Sequence, residues 1–166
     1  MNIDATANLL GALALTLADR IRAATEATSG HTGETPAALT VLGMEPGLSN
    51  DGLRHILRLS HPGTVRLVDR LAADGLVERR PARDGRAVAL HLTTAGEARR
   101  DTLLASRQGA IQALLEGLTR DEIDVFGALL QKILSTSFAA DQAAVLNVCR
   151  LCNTEICDHC PFEPET

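Results

Sequence analysis

The chain has 166 residues, of which 45% are hydrophobic, and a formal net charge of −5 at pH 7. Its length and hydrophobic fraction can support one domain with a real core, or one domain followed by a tail. Three Phe with neither Tyr nor Trp exclude a core built on aromatic rings and leave Leu, Ala, Val and Ile, a composition that suits helices.

No secretory or membrane-spanning segment is expected. The only apolar run near the start, residues 9–18, follows Asp4 with no basic segment and is too short to cross a bilayer. The sequence therefore predicts a cytoplasmic protein in a reducing environment, without a membrane partner. In that environment, four cysteines are more often metal ligands or reactive thiols than structural disulfides.

The first segment, residues 4–28, is rich in Ala and Leu and predicts an amphipathic helix. Residues 28–33 have the composition of a loop. Thr35 and Pro36 can then start a second helix that runs to about residue 45, where Pro46 and Gly47 end it. We assign residues 1–34 to an N-terminal dimerisation helix and loop. The apolar stripe of the first helix is Leu10, Leu13, Leu17 and Ile21.

Residues 48–74 predict two short helices joined by a sharp turn, which together form a helix-turn-helix. Ser60 suits the start of the second helix and Gly75 its end, so this helix is expected at about residues 61–74. Its apolar positions recur at helical spacing, so one face packs and the other is offered outward. These positions are Thr64, Leu67, Val68 and Leu71, and the preceding helix packs through Leu53, Ile56 and Leu57.

Two short strands are predicted next, over residues 76–78 and 87–92. Asp84 and Gly85 between them indicate a two-residue hairpin turn, because Gly tolerates positive φ. A hairpin directly after a helix-turn-helix is a wing. The predicted fold is therefore mainly α with a small β-wing, in which residues 35–92 form a winged helix-turn-helix.

Long helices are predicted after the wing, and we assign residues 93–148 to C-terminal dimerisation. Thr94 with Glu97, and Thr119 with Glu122, match the capping-box pattern that begins a helix. The two helices carry more apolar surface than a small winged domain can cover, which predicts a homodimer. The alternative is a monomer whose helical hairpin folds onto its own winged domain. The apolar positions are Leu104, Ile111, Leu115 and Leu118, then Ile123, Phe126, Leu130, Ile133 and Leu134.

Positive charge is concentrated in the predicted winged domain. Residues 54–100 contain ten Arg and five Asp or Glu, a net charge of +5 in a chain whose total is −5. A DNA backbone would lie against such a surface. A solvated, Arg-rich surface without a partner is the alternative.

These residues also carry a family resemblance. LSHPGTVRLVDRLAADGLVERR, followed by DGR and LTTAG, resembles the MarR family of dimeric winged-helix transcription regulators over about residues 5–138. The resemblance implies a dimer whose terminal helices entwine, a recognition helix in the major groove and a wing arginine in the minor groove of double-stranded DNA. The family usually has small residues where this chain has Arg54 and Arg58, and often a polar residue in place of Val65.

The resemblance also implies which residues contact DNA. Arg86 falls on the wing-tip arginine, and Asp84 on the carboxylate that orients it. Arg70 and Arg83 add charge to the same predicted surface. The residues that fall on the first half of the recognition helix are His61, Pro62, Gly63, Val65 and Arg66.

Residues 149–166 form a Cys-rich tail. Cys149, Cys152, Cys157 and Cys160 have the spacing C-x2-C-x4-C-x2-C, and the chain has no other cysteine. Two such pairs match tetrahedral, structural zinc. The last three cysteines and Pro161 also fit iron–sulfur spacings, and a thiol pair that oxidises, or a packing role alone, are further alternatives. Zinc is the leading expectation, as a staple for the tail or as a sensor.

No catalytic constellation is visible, so an enzyme is not expected. The leading hypothesis is a homodimeric, sequence-specific DNA-binding regulator, in such a family usually a repressor, that reads a pseudo-palindrome with half-sites about one helical turn apart. By resemblance, a small-molecule effector would bind between the dimer arms and the winged domain. The alternatives are a winged-helix protein-interaction adaptor without DNA binding, and a metal or redox sensor that acts through the tail.

Overall fold

The computed structural model describes residues 2–30, 33–81, 88–137, 141–157 and 160–162. They form helices joined by one two-stranded antiparallel sheet, which confirms the mainly α fold with a β-wing. Within these residues no helix has the length and apolarity needed to span a membrane. The elements are α1 (Ile3–Ser29), α2 (Thr35–Met44), α3 (Asn50–Leu57), α4 (His61–Ala73), β1 (Val77–Pro81), β2 (Val88–Leu92), α5 (Thr94–Gln112), α6 (Arg120–Ser137), α7 (Gln142–Val148) and a 3-10 helix (Thr154–Ile156).

The core of the winged domain surrounds α2, every residue of which from Thr35 to Leu42 is buried. Helices α3 and α5 and strand β2 contact α2, and α4 and β1 contribute side chains to the same core. The apolar stripe predicted for α4 is buried as a unit, and this burial holds the helix-turn-helix to the core. Core side chains that are almost fully buried are Leu39, Leu42, Leu53, Leu71 and Leu90.

The caps of α3 and α4 fix the helix-turn-helix. Ser49 Oγ accepts a hydrogen bond from Gly52 N at 3.0 Å, and Ser60 Oγ accepts one from Gly63 N at 3.2 Å. Each serine thereby satisfies a backbone donor that the first turn of a helix leaves free. The predicted start of α4 at Ser60 is confirmed, and the left-handed Gly75 follows its end.

The wing strands pair with Val77 opposite Leu92 and Pro81 opposite Val88. β1 begins one residue later than predicted and continues through three more residues. The predicted strand was too short because the charged residues Arg79 and Arg80 were not recognised as part of it. In the structure they pair with Leu90 and Ala89 of β2. The predicted turn at Asp84 and Gly85 lies outside the described residues.

The start of α5 differs from the prediction. The N-cap is Thr93, not Thr94, because Thr93 Oγ1 accepts from Gly96 N at 3.0 Å. The Thr93 hydroxyl also donates to Gly75 O at 2.6 Å, and Thr93 N donates to Leu76 O at 3.1 Å. The cap therefore fastens α5 to the end of α4 and to the start of the wing.

Helix α5 ends at Gln112, earlier than its apolar spacing predicted. Leu115 and Leu118 lie in a segment of tighter turns, in which Leu115 N donates to Gln112 O and Leu118 N to Leu115 O. The second capping box is confirmed: Thr119 N donates to Glu122 Oε2 at 2.8 Å, and Glu122 N to Thr119 Oγ1 at 3.4 Å.

Helices α1 and α5 pack along each other, whereas α6 makes at most marginal contact with the other described elements. α7 returns to the winged domain and packs against α3, where Leu146 and, just beyond α7, Leu151 join the core. The chain therefore has a winged domain, a pair of helices extending from it and a tail that folds back.

Candidate nucleic-acid interface

The face of α4 opposite the core is accessible. His61, Pro62 and Arg66 are exposed there, and Gly63 and Val65 are partly exposed. All five predicted recognition-helix residues therefore lie together on the outer side of the first half of α4. Of the predicted wing contacts, Arg83, Asp84 and Arg86 lie outside the described residues.

Several arginines of the basic surface are paired with carboxylates or bonded to the core. Arg79 forms an ion pair with Asp69, and Arg80 with Glu78. Arg70, a predicted DNA contact, is exposed but donates to Thr35 Oγ1 at 3.1 Å, at the start of α2. The two ion pairs reduce the positive charge that the surface can offer to a phosphate, and the hydrogen bond to Thr35 directs Arg70 toward α2.

Arg66 differs from those arginines because its side chain makes no hydrogen bond or ion pair with any other described residue. It stands on a helix that the Ser60 cap and four buried side chains hold in place. An exposed guanidinium without an ion pair can bind a phosphate or the edge of a guanine through paired hydrogen bonds, and no existing salt bridge has to be broken first. Arg66 is therefore the strongest described candidate for a DNA contact.

Arg54 on α3 is neutralised locally. Its Nε donates to Asp51 Oδ1 at 2.8 Å. This hydrogen bond and the positive charge of Arg54 lower the pKa of Asp51, with smaller contributions from His61 and His55. The departure from the small residue usual in the family is thus accommodated by an exposed ion pair.

Arg58 forms the turn between α3 and α4 in the left-handed region, at φ 55° and ψ 40°. Among the described residues it is the only non-glycine residue with positive φ. A residue with a Cβ is strained there. The family's usual small residue at this position therefore has a conformational reason, and the sharp turn is retained despite Arg58.

The contact between the tail and the helix-turn-helix was not predicted from the sequence. Asn147 Nδ2 on α7 donates to Ile56 O on α3 at 2.7 Å. Leu146 and Leu151 pack nearby against the core of the winged domain. The apolar residues around Asn147 were the available signal, but the sequence does not specify which surface they cover.

The predicted metal ligands are called the four-cysteine cluster because they lie close together in the sequence: Cys149, Cys152, Cys157 and Cys160. All four are thiols in this structure. Cys149 ends α7, and the following turn closes with a hydrogen bond from Cys152 N to Cys149 O at 2.7 Å. This turn brings the side chains of Cys149 and Cys152 into hydrogen-bonding contact.

Arg107 on α5 faces this pair, and its Nη2 donates to Cys152 Sγ at 3.7 Å. The hydrogen bond with Cys149, and then the charges of Arg107 and Arg150, lower the pKa of Cys152 to about 6. The same Cys149–Cys152 hydrogen bond, with burial, raises the pKa of Cys149. Arg107 was missed in the sequence because it is 45 positions away from Cys152.

The four thiols, with Arg107 beside Cys152, fit a thiolate-bound metal. The structure does not bring Cys157 and Cys160 together with the first pair. Negative charge on Cys160 and Cys157 would add, after the bond to Cys152 and burial, to the raised pKa of Cys149. In the part of the chain that the structure describes, however, no three His, Cys, Asp or Glu side chains already converge on a metal position. Cys149 and Cys152 would therefore begin a site that the second pair completes.

A cleft of about 320 Å³ adjoins the tail. Thr40 and Met44 on α2 line one side, Leu104 and Gln108 on α5 another, and Cys152 contributes the tail side. The cleft thus lies between the winged domain and the helix that leads away from it.

Comparisons with known proteins agree with this architecture. The MarR family model matches residues 29–87. The structure of a MarR family protein from Bacillus stearothermophilus is 31% identical, with a TM-score of 0.69 over 80% of this chain and 95% of that chain. Apo wild-type MarR from E. coli is 27% identical, with a TM-score of 0.62 over 75% and 96% of the respective chains.

A DNA complex of a Mycobacterium tuberculosis MarR family protein, Rv2887, shares the fold. It is 24% identical, with a TM-score of 0.62 over 76% of this chain and 95% of that chain. A search of functionally curated proteins found no match.

Proposed function

This chain belongs to the MarR family, and from that premise we propose that it is a homodimeric, sequence-specific transcription regulator that acts as a repressor. Two copies would present their α4 helices to successive major grooves on one side of double-stranded DNA. The observation that carries the proposal is the outer face of α4, where Arg66 is exposed and lacks a carboxylate partner among the described residues.

The DNA-binding part of the proposal is supported by a relative as well as by charge. Rv2887, which shares the fold, was solved in complex with DNA. In this chain, Arg58 lies just before α4 and also makes no side-chain ion pair with a described residue. Arg58 and Arg66 would neutralise phosphates and place α4, while the polar and apolar groups around His61 and Val65 would face base edges.

The test uses duplexes that the full chain selects from a random-sequence pool. Affinity is measured by fluorescence anisotropy over a range of salt concentrations, for the wild type and for Arg66→Ala. We expect the variant to bind more weakly by about 1–3 kcal/mol, which is about 5- to 150-fold. If Arg66 contacts a phosphate, the magnitude of the salt slope should also fall by about one unit.

Arg22→Ala is the matched control, because Arg22 is an exposed arginine on α1 that pairs with Asp19 away from α4. Its affinity and salt slope should equal those of the wild type. Equal losses in Arg22→Ala and Arg66→Ala would refute a specific role for α4. Absence of saturable duplex binding at low salt would instead support the adaptor hypothesis.

The proposed homodimer follows from apolar surface that a single chain leaves uncovered. On α6, Val125 is 62% and Leu129 53% exposed, and on α1, Leu15 is 72% exposed. Exposed apolar side chains along whole helices are costly in water, and symmetric pairing of two chains covers them. Helices α1 and α6 would therefore form the dimer arms.

Analytical ultracentrifugation tests the dimer. The wild type should sediment as a dimer, and Val125→Asp with Leu129→Asp should shift it toward monomer, because the two carboxylates would be buried without partners. Gln131→Asp, on the opposite side of the same helix, is the charge-changing control and should leave the dimer intact. A wild-type monomer, or an unaffected dimer in the double variant, would refute this use of α6.

The cleft between α2 and α5 is the proposed position of a small-molecule effector. Its walls belong to the winged domain and to the helix that leads to the dimer arms, so a ligand there would alter their relative placement. Compounds can be screened by the shift in melting temperature of the full chain. A hit that binds here should lose its shift in Gln108→Leu, and retention of the shift would place it elsewhere.

A further inference from the structure

The four-cysteine cluster is connected to two helices of the fold, α3 and α5. Its first pair ends α7, which packs on α3, and Cys152 contacts Arg107 on α5. We propose that the four-cysteine cluster binds one Zn²⁺ per chain, that Arg107 balances part of the charge of this site, and that the bound ion fastens the tail across α3 and α5.

The first two ligands are already placed. A backbone hydrogen bond from Cys149 N to Val145 O, 2.9 Å long, ends α7. The next turn then returns Cys152 toward Cys149, so that the two sulfurs face each other. A CxxC pair folded in this way offers two sulfurs to one ion, which is half of the closed tetrahedral shell of structural zinc.

The second pair lies on a short return of the chain. Asn153 Oδ1 accepts from Glu155 N at 3.0 Å, and this cap starts the 3-10 helix that precedes Cys157. Cys157 and Cys160 do not complete a three-ligand group with the first pair among the described residues. Metal binding must therefore move the second pair onto the first, so that part of the binding free energy orders the tail.

Arg107 supplies an independent indication of a charged ligand. Four thiolates around Zn²⁺ carry a net charge of −2, which is costly in a partly buried site unless cations lie nearby. Arg107 already donates to Cys152 Sγ, and its Nε is buried with no hydrogen-bond partner in the described part of the chain. A thiolate is a better acceptor than a thiol for such a guanidinium.

The contacts of α7 show which helices a bound metal ion would hold together. Asn147 bonds to the Ile56 carbonyl on α3, while Cys152 meets Arg107 on α5. An ion held by the four-cysteine cluster therefore connects the first helix of the helix-turn-helix to the helix that leads to the dimer arms. Any effect on operator affinity rests on the proposed DNA binding, whereas metal binding and tail ordering are measured without DNA.

The experiment begins with the reduced, demetallated full chain under anaerobic conditions. It is titrated with Co²⁺ and then with Zn²⁺, and the absorption of thiolate-bound Co²⁺ is recorded. The chain has no Trp or Tyr, so the near-ultraviolet background is low. We expect one Co²⁺ per chain, displaced by one Zn²⁺, and X-ray absorption of the zinc form should show four sulfur neighbours at about 2.3 Å.

Variants separate the ligands from the balancing charge. Cys157→Ser and Cys160→Ser should abolish the four-sulfur spectrum. Arg107→Gln should weaken zinc affinity by about 10- to 100-fold, the usual effect of losing a group that supports the ligands. Arg107→Lys should restore part of this loss. Arg120→Gln is the control, because Arg120 is exposed on α6 and pairs with Asp124, and it should leave zinc affinity unchanged.

Several outcomes would overturn the proposal. Fewer than four sulfur neighbours, or affinity that survives loss of both Cys157 and Cys160, would mean adventitious binding at the first pair. Iron with inorganic sulfide in the isolated protein would mean a cluster, and failure to bind metal in the reduced state would leave a simple dithiol.

Hydrogen exchange tests whether bound zinc holds the tail against α3. Zinc should slow amide exchange in residues 142–151 and in α3 of the wild type. In Asn147→Ala it should still bind but protect α3 less. Unchanged exchange in the wild type after zinc saturation would refute the connection between the ion and the helix-turn-helix.

Discussion

Gly96 is the point at which α5 meets the wing most closely, and Gly96→Ala tests that junction. A Cβ at Gly96 would lie 2.0 Å from Leu76 O and 3.0 Å from Leu76 C. Both are backbone atoms, so no side-chain rotation relieves the contact. The Leu76 carbonyl is itself held by Thr93 N at 3.1 Å, so moving it weakens the hydrogen bond at the start of α5.

The expected change in the free energy of unfolding combines three contributions. Replacing a helical Gly by Ala stabilises by up to about 1 kcal/mol. Forcing an extra methyl into packed structure costs about 1–3 kcal/mol, and a weakened hydrogen bond at Leu76 costs about 1 kcal/mol more. Gly96→Ala should therefore destabilise the chain by about 1–3 kcal/mol.

Urea unfolding followed by far-ultraviolet circular dichroism measures this difference, since the chain has no Trp for fluorescence. Protein concentration is held constant because the proposed dimer would make stability depend on it. Gly109→Ala is the control on the same helix, where a Cβ meets nothing within 4 Å, and it should stabilise by up to about 1 kcal/mol. A Gly96→Ala protein at least as stable as the wild type would refute the close junction.

Other parts of the chain give further predictions. Arg58→Gly should raise the free energy of unfolding by about 1 kcal/mol by relieving the left-handed turn, whereas Arg58→Ala should not, and equal effects in urea unfolding would contradict the strain. Hydrogen bonds from Thr119 lower the pKa of Glu122 from its ordinary value of 4.5. The stabilisation that Glu122 gives the folded chain is therefore present above pH 4.5 and is lost as the pH falls through the pKa of Glu122 in the folded chain. In Glu122→Gln, the free energy of unfolding measured against pH should lack this acid-dependent part. Arg86→Ala should weaken operator binding by about 1–3 kcal/mol without unfolding the chain, and unchanged affinity in a salt-controlled titration would disprove the wing contact.

Local patterns predicted the helix-turn-helix well because its determinants are close in sequence. Ser60 caps the helix that begins one residue later, and the stripe from Thr64 to Leu71 is buried as its spacing required. The reciprocal cap of Thr119 and Glu122 depends on residues three apart and was also found. Such signals need only the geometry of one helix turn.

The errors arose where a distant segment decides the outcome. The capping-box spacing to Glu97 favoured Thr94, but Thr93 caps α5 in the structure and also donates to Gly75 O at the end of α4. β1 includes Arg79 and Arg80 because their backbones pair with β2. Leu115 continued a helical spacing, yet the backbone turns tightly after Gln112.

For this protein, the sequence by itself determined the winged helix-turn-helix, the excess apolar surface behind the proposed dimer and the four candidate ligands, because each is a periodic or closely spaced pattern. Tertiary structure alone decided that α7 bonds to Ile56, that Arg107 lies at Cys152, and that Arg66 is exposed while Arg54 and Arg79 are neutralised. These relations join residues that are distant in the chain or choose among chemically equivalent arginines, so they depend on how the elements pack rather than on spacing.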